Sequence, residues 1–295
     1  MTWKLAGDIA KGTAREFNED NILTLGAALA YYAMFSLGPM LAIAVALAGA
    51  AFGFDTVRDH IHKALEGMLG EGSAKTVDSM MAARTQATSA LMKTIALASL
   101  LFGATGVFGQ LQTSLNTIWG VKSKPGRGLW LFFRNRFLSF AMVLGVGFLL
   151  LVSLALSTAL SAFSGILTQA LPQMDWVAHT VDFGFSFAVI TALFAMIFKF
   201  LPDVEIPWSK VWMGAAGTSL LFTLGKHLLG LYLGRESTAS AYGAAGSVIV
   251  VLMWVYYASL ILFLGAEFTQ VYAHQTGVEV KPTQYAAPIE EAGAN

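Results

Sequence analysis

Charged residues are missing from long stretches of this chain, and such stretches recur along it. None occurs between Asp20 and Asp55, between Lys93 and Lys122, or between Arg136 and Asp175. A helix rises ~1.5 Å per residue, so ~20 apolar residues cross a hydrocarbon core of ~30 Å. Each gap is longer than that. The pattern predicts six membrane-crossing helices, near residues 22–52, 94–118, 137–160, 181–201, 208–232 and 241–268. The expected fold class is therefore an all-α integral membrane protein, a six-transmembrane-helix bundle with short amphipathic helices in its first outer loop.

Three further segments complete the layout. Residues 1–21 mix Lys4, Lys11 and Arg15 with Asp8, Glu16, Glu19 and Asp20, and lack the apolar run of a signal peptide. Trp3, Leu5, Ile9 and Phe17 give that segment one apolar side, which predicts a helix lying on the membrane interface. The transmembrane domain spans residues 22–275. Its outer loop, 55–93, places Val57, Ile61, Leu65, Met68 and Leu69 on one helical face. The tail 276–295 is polar, contains Pro282 and Pro288, and reads as disordered. Within the first span, Ser36-Leu37-Gly38-Pro39 interrupts the run and predicts a kink, because Pro39 removes a backbone donor and crowds the preceding turn.

Loop charges set the orientation. Residues 121–136 carry Lys122, Lys124, Arg127, Arg134 and Arg136 with no acidic residue, and the positive-inside rule assigns them to the cytoplasm with both termini. Loop 55–93 has as many basic residues, but Asp55, Asp59, Glu66, Glu71 and Asp78 offset them. Trp3, Trp119, Trp130, Trp208 and Trp212 would then all lie at the inner interface, where indole rings concentrate.

Composition supports this assignment and narrows the chemistry. Hydrophobic residues make up 56% and charged residues 12%, against about 25% charged in ordinary soluble domains. The formal net charge is zero, so no overall basic field draws nucleic acid. Cysteine is absent, which excludes disulfides, thiolate catalysis and cysteine metal sites. His60 and His62 are two residues apart and would point to different sides of a helix, a poor metal geometry. No catalytic triad, phosphate-binding loop or placed carboxylate pair emerges. No catalytic residue, metal or cofactor is expected.

A few residues stand out as ligand-binding candidates. Lys226 lies sixteen residues after Lys210, ~24 Å along a helix, with Ser219, Thr223 and Gly230 at helical spacing around it. It reads either as a cationic binding group between helices or as a lysine reaching for the outer headgroups. Tyr32 and Ser36 are one turn apart, and either line a cavity or bond between helices. Trp254 stands mid-span, Tyr232 and Tyr242 flank the short loop with Arg235 and Glu236, Pro39 is a hinge candidate, and Glu267 a candidate coupling group. Gly103, Gly106 and Gly109, and also Gly214 and Gly217, form small-residue faces that suit close helix packing.

Several stretches, taken in order, resemble the YihY/BrkB family. These are Ala28-Leu29-Ala30-Tyr31-Tyr32-Ala33-Met34-Phe35-Ser36-Leu37-Gly38-Pro39, then Leu115-Asn116-Thr117-Ile118-Trp119-Gly120-Val121, and Phe200-Leu201-Pro202-Asp203-Val204. Gly225-Lys226, Gly230-Leu231-Tyr232, Ala241-Tyr242-Gly243-Ala244, Leu252-Met253-Trp254-Val255-Tyr256 and Leu264-Gly265-Ala266-Glu267 follow. The likeness covers roughly residues 1–275. It implies a six-spanning protein of the bacterial inner membrane, often suggested to be a transporter and once labelled a ribonuclease. A nuclease would need clustered acidic or histidine ligands facing the cytoplasm, and the basic loop 121–136 has none. The expectation is a non-enzymatic permease for an anionic small molecule or lipid, its site lined by Tyr32, Ser36, Lys226, Tyr232, Tyr242 and Trp254. The alternative is a non-transporting envelope-maintenance or scaffold protein acting through loop 55–93. Membrane lipids are the expected partners, and nucleic acid is not.

Overall fold

The computed structural model describes residues 3–53, 106–124, 175–233, 246–278 and 280–289, with isolated positions at 59, 62, 63, 66 and 75. Among them the order is α1 (Trp3–Glu19), α2 (Ile22–Phe52), α3 (106–118), β1 (Val121–Ser123), α4 (Asp175–Phe200), β2 (Val204–Glu205), α5 (Trp208–Leu233), α6 (Gly246–Gln275), β3 (Lys281–Pro282) and β4 (Ala286–Pro288). The first, fourth, fifth and sixth expected spans correspond to α2, α4, α5 and α6. The expected third span, the body of loop 55–93 and Tyr242 lie outside the described residues.

α6 is the hub, packing against α1, α2 and α5, while α4 packs on the side of α5. The α5–α6 contact is antiparallel and very close. Gly214 faces Thr269, and Thr218 faces Gly265, so each helix offers a glycine to the other's threonine. Neither hydroxyl is stranded, because Thr218 Oγ1 donates to the Gly214 carbonyl at 2.7 Å and Thr269 Oγ1 to the Gly265 carbonyl at 2.6 Å. Where lipid replaces water, such fitted contact drives helix association. The register continues along α5 toward its C-terminal end, with Gly225 against Tyr257 and the Phe222 ring edge-on to Trp254. In the other direction it continues to Lys210, near the start of α5, whose Nζ lies 4.5 Å from the Tyr272 ring centroid.

The outward faces are apolar. On α2, Leu23, Tyr31 and Phe35 are exposed, and on α5 so are Trp212, Leu220, Leu224 and Leu228. Phe183–Phe200 and Val248–Gln275 are long and apolar enough to cross a bilayer, and Ile22–Ser36 is a shorter apolar helical stretch. Apolar helices that also turn large apolar side chains outward are built for a hydrocarbon surround.

α1 folds back on α6, burying Ile9 and Thr13 and seating Gly12 against Val271. The bend into α2 falls at Asn21, whose φ of 53° is a left-handed conformation that asparagine tolerates. The helix is not broken at Ser36-Leu37-Gly38-Pro39, since α2 stays helical through Pro39. A proline costs one intrahelical bond, and Ser36 Oγ, which donates to the Ala33 carbonyl at 3.2 Å, supports the turn before it.

The tail departs from the expected disorder over residues 280–289. Val278 N–H bonds to Ala273 O and Gly277 N–H to His274 O, both at 3.0 Å, with Gly277 left-handed at φ 71°. This terminates α6 and turns the chain back. β3 then pairs antiparallel with β2, and β4 with β1. Polar composition made the segment look solvated, yet its backbone groups find partners in two interhelical loops. Pro282 and Pro288 sit in two-stranded pairs, where a missing donor is tolerated. The buried core gathers at this same end, around Leu115, Ile118, Phe198, Ile206, Val211 and Phe263.

Gly214→Val and Gly265→Val each place methyl groups where a threonine now sits and should destabilise the protein by about 1–3 kcal/mol. Thermal unfolding in detergent checks this, and adding Thr269→Ala to Gly214→Ala should recover part of the smaller alanine deficit.

Candidate functional site

At the core end of the bundle, one carboxylate gathers four chain segments. Pro202 ends α4, and the next residue, Asp203, is 3% exposed. Asp203 Oδ2 accepts from Asn116 Nδ2 at 3.0 Å, Gln112 Nε2 at 3.3 Å and Ser123 Oγ at 3.4 Å. Its backbone N–H donates to Asn116 Oδ1 at 2.8 Å, and its carbonyl accepts from the Thr283 N–H at 2.9 Å. Gln112 and Asn116 are one turn apart on α3 and approach together. A buried charge needs several donors to replace its water, and here α3 and β1 supply them. Asp203 thereby fastens α3, β1, the α4–α5 turn and the tail. This arrangement positions loops. Among the described residues no group of three His, Asp or Glu side chains is placed to hold a metal.

Beside this fastener lies an aromatic and cationic edge. Lys199 Nζ donates to the Ile206 carbonyl at 2.6 Å and sits 5.7 Å from the Trp208 ring centroid. Trp208 stacks on Trp212 at 6.2 Å, and both are exposed. Exposed indoles beside lysine are characteristic of the level where a membrane protein meets lipid headgroups.

The chain belongs to the virulence factor BrkB family. The family's profile matches residues 13–290. A UPF0761 membrane protein of Verminephrobacter eiseniae is 29% identical over 87% of this chain and 60% of its own length. One of Albidiferax ferrireducens is 29% identical over 87% and 61%, and one of Pseudomonas aeruginosa 26% over 88% and 61%. The chain thus spans about three-fifths of the length of these curated relatives. No solved structure matches it. It is a membrane protein of the BrkB family, and its outward-facing apolar helices agree with that.

In this BrkB-family chain the sequence-selected residues occupy different settings. Tyr32 is 43% exposed on α2, edge-on to Tyr31 at 5.8 Å, and its ring covers Gly106 of α3. Ser36, one turn on, is fully buried. Trp254 is half-buried against Phe222, with ring centroids 6.1 Å apart. Lys226 is exposed on α5 between the exposed Leu224 and Leu228. Ser219 and Thr223 donate to carbonyls one turn back, each at 2.8 Å, so the polar stripe leading to Lys226 is satisfied within its own helix. Tyr232 lies in the last turn of α5. Glu267 is fully buried on α6, and among the described residues neither carboxyl oxygen meets an N–H or O–H donor.

The Asp203 cluster was not selected from sequence. Its signal was present in Gln112 and Asn116, two amide side chains one turn apart in an uncharged span, and in an aspartate directly after a helix-ending proline. What the sequence could not supply was the pairing of positions 87 residues apart.

Asn116→Ala removes a donor from the buried carboxylate and an acceptor from the Asp203 N–H. A stability loss of about 2–4 kcal/mol is expected. Limited proteolysis should also cut faster between residues 276 and 289, because the tail strands lose their fastener.

Proposed function

We propose that this BrkB-family chain is a six-span permease of the bacterial inner membrane. It moves an anionic amphiphile, with both termini in the cytoplasm. The observation that carries this reading is Lys226, an exposed cation on a helix whose neighbouring exposed residues are Leu220, Leu221, Leu224 and Leu228. A lysine ~24 Å along α5 from Lys210 is near the far side of a bilayer from Trp208 and Trp212. Charge at such a place is expensive unless it meets water, a headgroup or a substrate. Exposure of Lys226 and Tyr32 on lipid-side surfaces favours a substrate that approaches from the membrane. An anionic lipid or a similar amphiphile fits both the apolar surroundings and the positive charge. Lys122, Lys124 and Lys281, close to the strand pairs, support a cytoplasmic assignment for that end.

The test uses protein reconstituted in liposomes with fluorescent anionic and zwitterionic phospholipid analogues. Wild-type protein should translocate the anionic analogue faster. Lys226→Ala should slow it at least tenfold, the scale of one charge-assisted contact, and Lys226→Arg should retain most of the rate. Equal rates for the two analogues, or an unchanged rate in a folded Lys226→Ala protein, contradict the proposal.

A further inference from the structure

Glu267 has an unusual partner. The side chain reaching it is another acid, Asp20, at the bend between α1 and α2, and the two carboxyls lie within hydrogen-bonding reach. Two carboxylates only accept, so a bond between them needs a proton on one of them. Glu267 has no exposed surface, and among the described residues neither of its oxygens meets a donor. Asp20 is half-buried and forms the solvent-side member of the pair.

Among the described residues no neutralising cation faces the pair. On α1, Glu16 and Glu19 face the same region and add negative charge, while Arg15 is engaged with both of them, at 2.6 and 3.7 Å. α2 carries no charged residue. On α5, Lys210 is turned to the Tyr272 ring. His274, further along α6, is exposed. Burial holds the Asp20 carboxyl above its ordinary value of 3.8; the bond with Glu267 opposes this, and the charges of Glu16 and Glu19 reinforce it.

The depth is informative. Because Thr218 faces Gly265 and Gly214 faces Thr269, Glu267 is level with about residue 216 of α5. That is about 6 Å deeper than the exposed Trp212 and about 12 Å deeper than Trp208, at ~1.5 Å per residue. The pair therefore lies inside the indole level, where an unpaired charge is costly.

We propose that Asp20 and Glu267 form a proton-binding site that locks α1 onto α6: with one proton shared the acids bond, and with none they repel. The ligand is the proton itself, since among the described residues no third ligating side chain joins the two carboxyl groups, and two alone make a poor metal site. The sign follows from the raised value of Asp20. The folded state holds its proton more tightly than the unfolded chain, so docking is strongest in acid. It weakens as pH rises above the ordinary carboxylate value and through the raised one. This is the reverse of ordinary acid denaturation. The site stands whether or not the protein is a permease.

Infrared difference spectra of lipid-reconstituted protein, titrated from acid to alkaline pH, read the proton directly. A protonated-carboxyl band should survive in wild-type protein to higher pH than an ordinary carboxyl allows, fade as pH rises further, and be lost over that range in Glu267→Gln. If Glu267→Gln fails to fold, Asp20→Asn serves, since its amide donates to Glu267 and should likewise abolish the band over that range. Hydrogen exchange of the last turn of α1 should speed up with pH, beyond the intrinsic rise, in wild-type protein only. A band that vanishes within the ordinary carboxylate range, its persistence above that range in both variants, or its displacement by sodium at constant pH would overturn the proposal.

Discussion

The rest of the described structure depends on how closely α5 and α6 approach. Two glycines and two threonines, Gly214 with Thr269 and Thr218 with Gly265, interlock so that each threonine hydroxyl bonds within its own helix. In a medium without hydrophobic pressure between helices, this fit holds the hairpin. With α6 fixed, α2 packs through Gly26 against Tyr256 and Leu260, and α1 through Gly12 against Val271. Helix α4 joins from the far side through Phe194 and Phe222, whose rings meet edge to face at 5.7 Å.

Polar residues divide by depth. Threonine and serine hydroxyls along α5 and α6 close onto backbone carbonyls and disappear into the helices. Asp203 is buried too, but it draws donors from α3 and β1 and becomes the fastener that binds loops and tail. Glu267 is the exception, buried without a donor and facing a second acid. Lys226 is the opposite case, a charge left on the surface among leucines. Those two residues carry the functional interpretation because ordinary packing does not account for them.

Much of the helical layout was legible in the sequence, since hydrocarbon forces long uncharged runs. α2 begins and ends at the expected residues. α4 starts earlier than expected, at Asp175, because hydropathy marks where a chain is apolar enough for hydrocarbon and not where its helix begins. The tail strands were illegible for a physical reason: their partners are backbone groups of loops far away in sequence, which composition does not encode. Glu267 stood out as an acid at the end of an apolar run, whereas Asp20 looked like one of several solvated charges. Its importance comes only from the fold of α1 onto α6. The candidate set around Tyr32, Ser36 and Lys226 was chosen by residue type, and the structure puts Ser36 in the core and the other two outside.

The most direct measurement of the central claim is a disulfide cross-link across the α5–α6 interlock. The chain has no cysteine, so Gly214→Cys with Thr269→Cys introduces a single possible pair. With a protease site inserted between residues 234 and 245, oxidation should keep the two fragments joined after cleavage. The control Met213→Cys with Thr269→Cys, starting from an exposed side chain, should release them. Release of the Gly214–Thr269 pair together with retention of the control would contradict the register from which the hub, and the depth of Glu267, are derived.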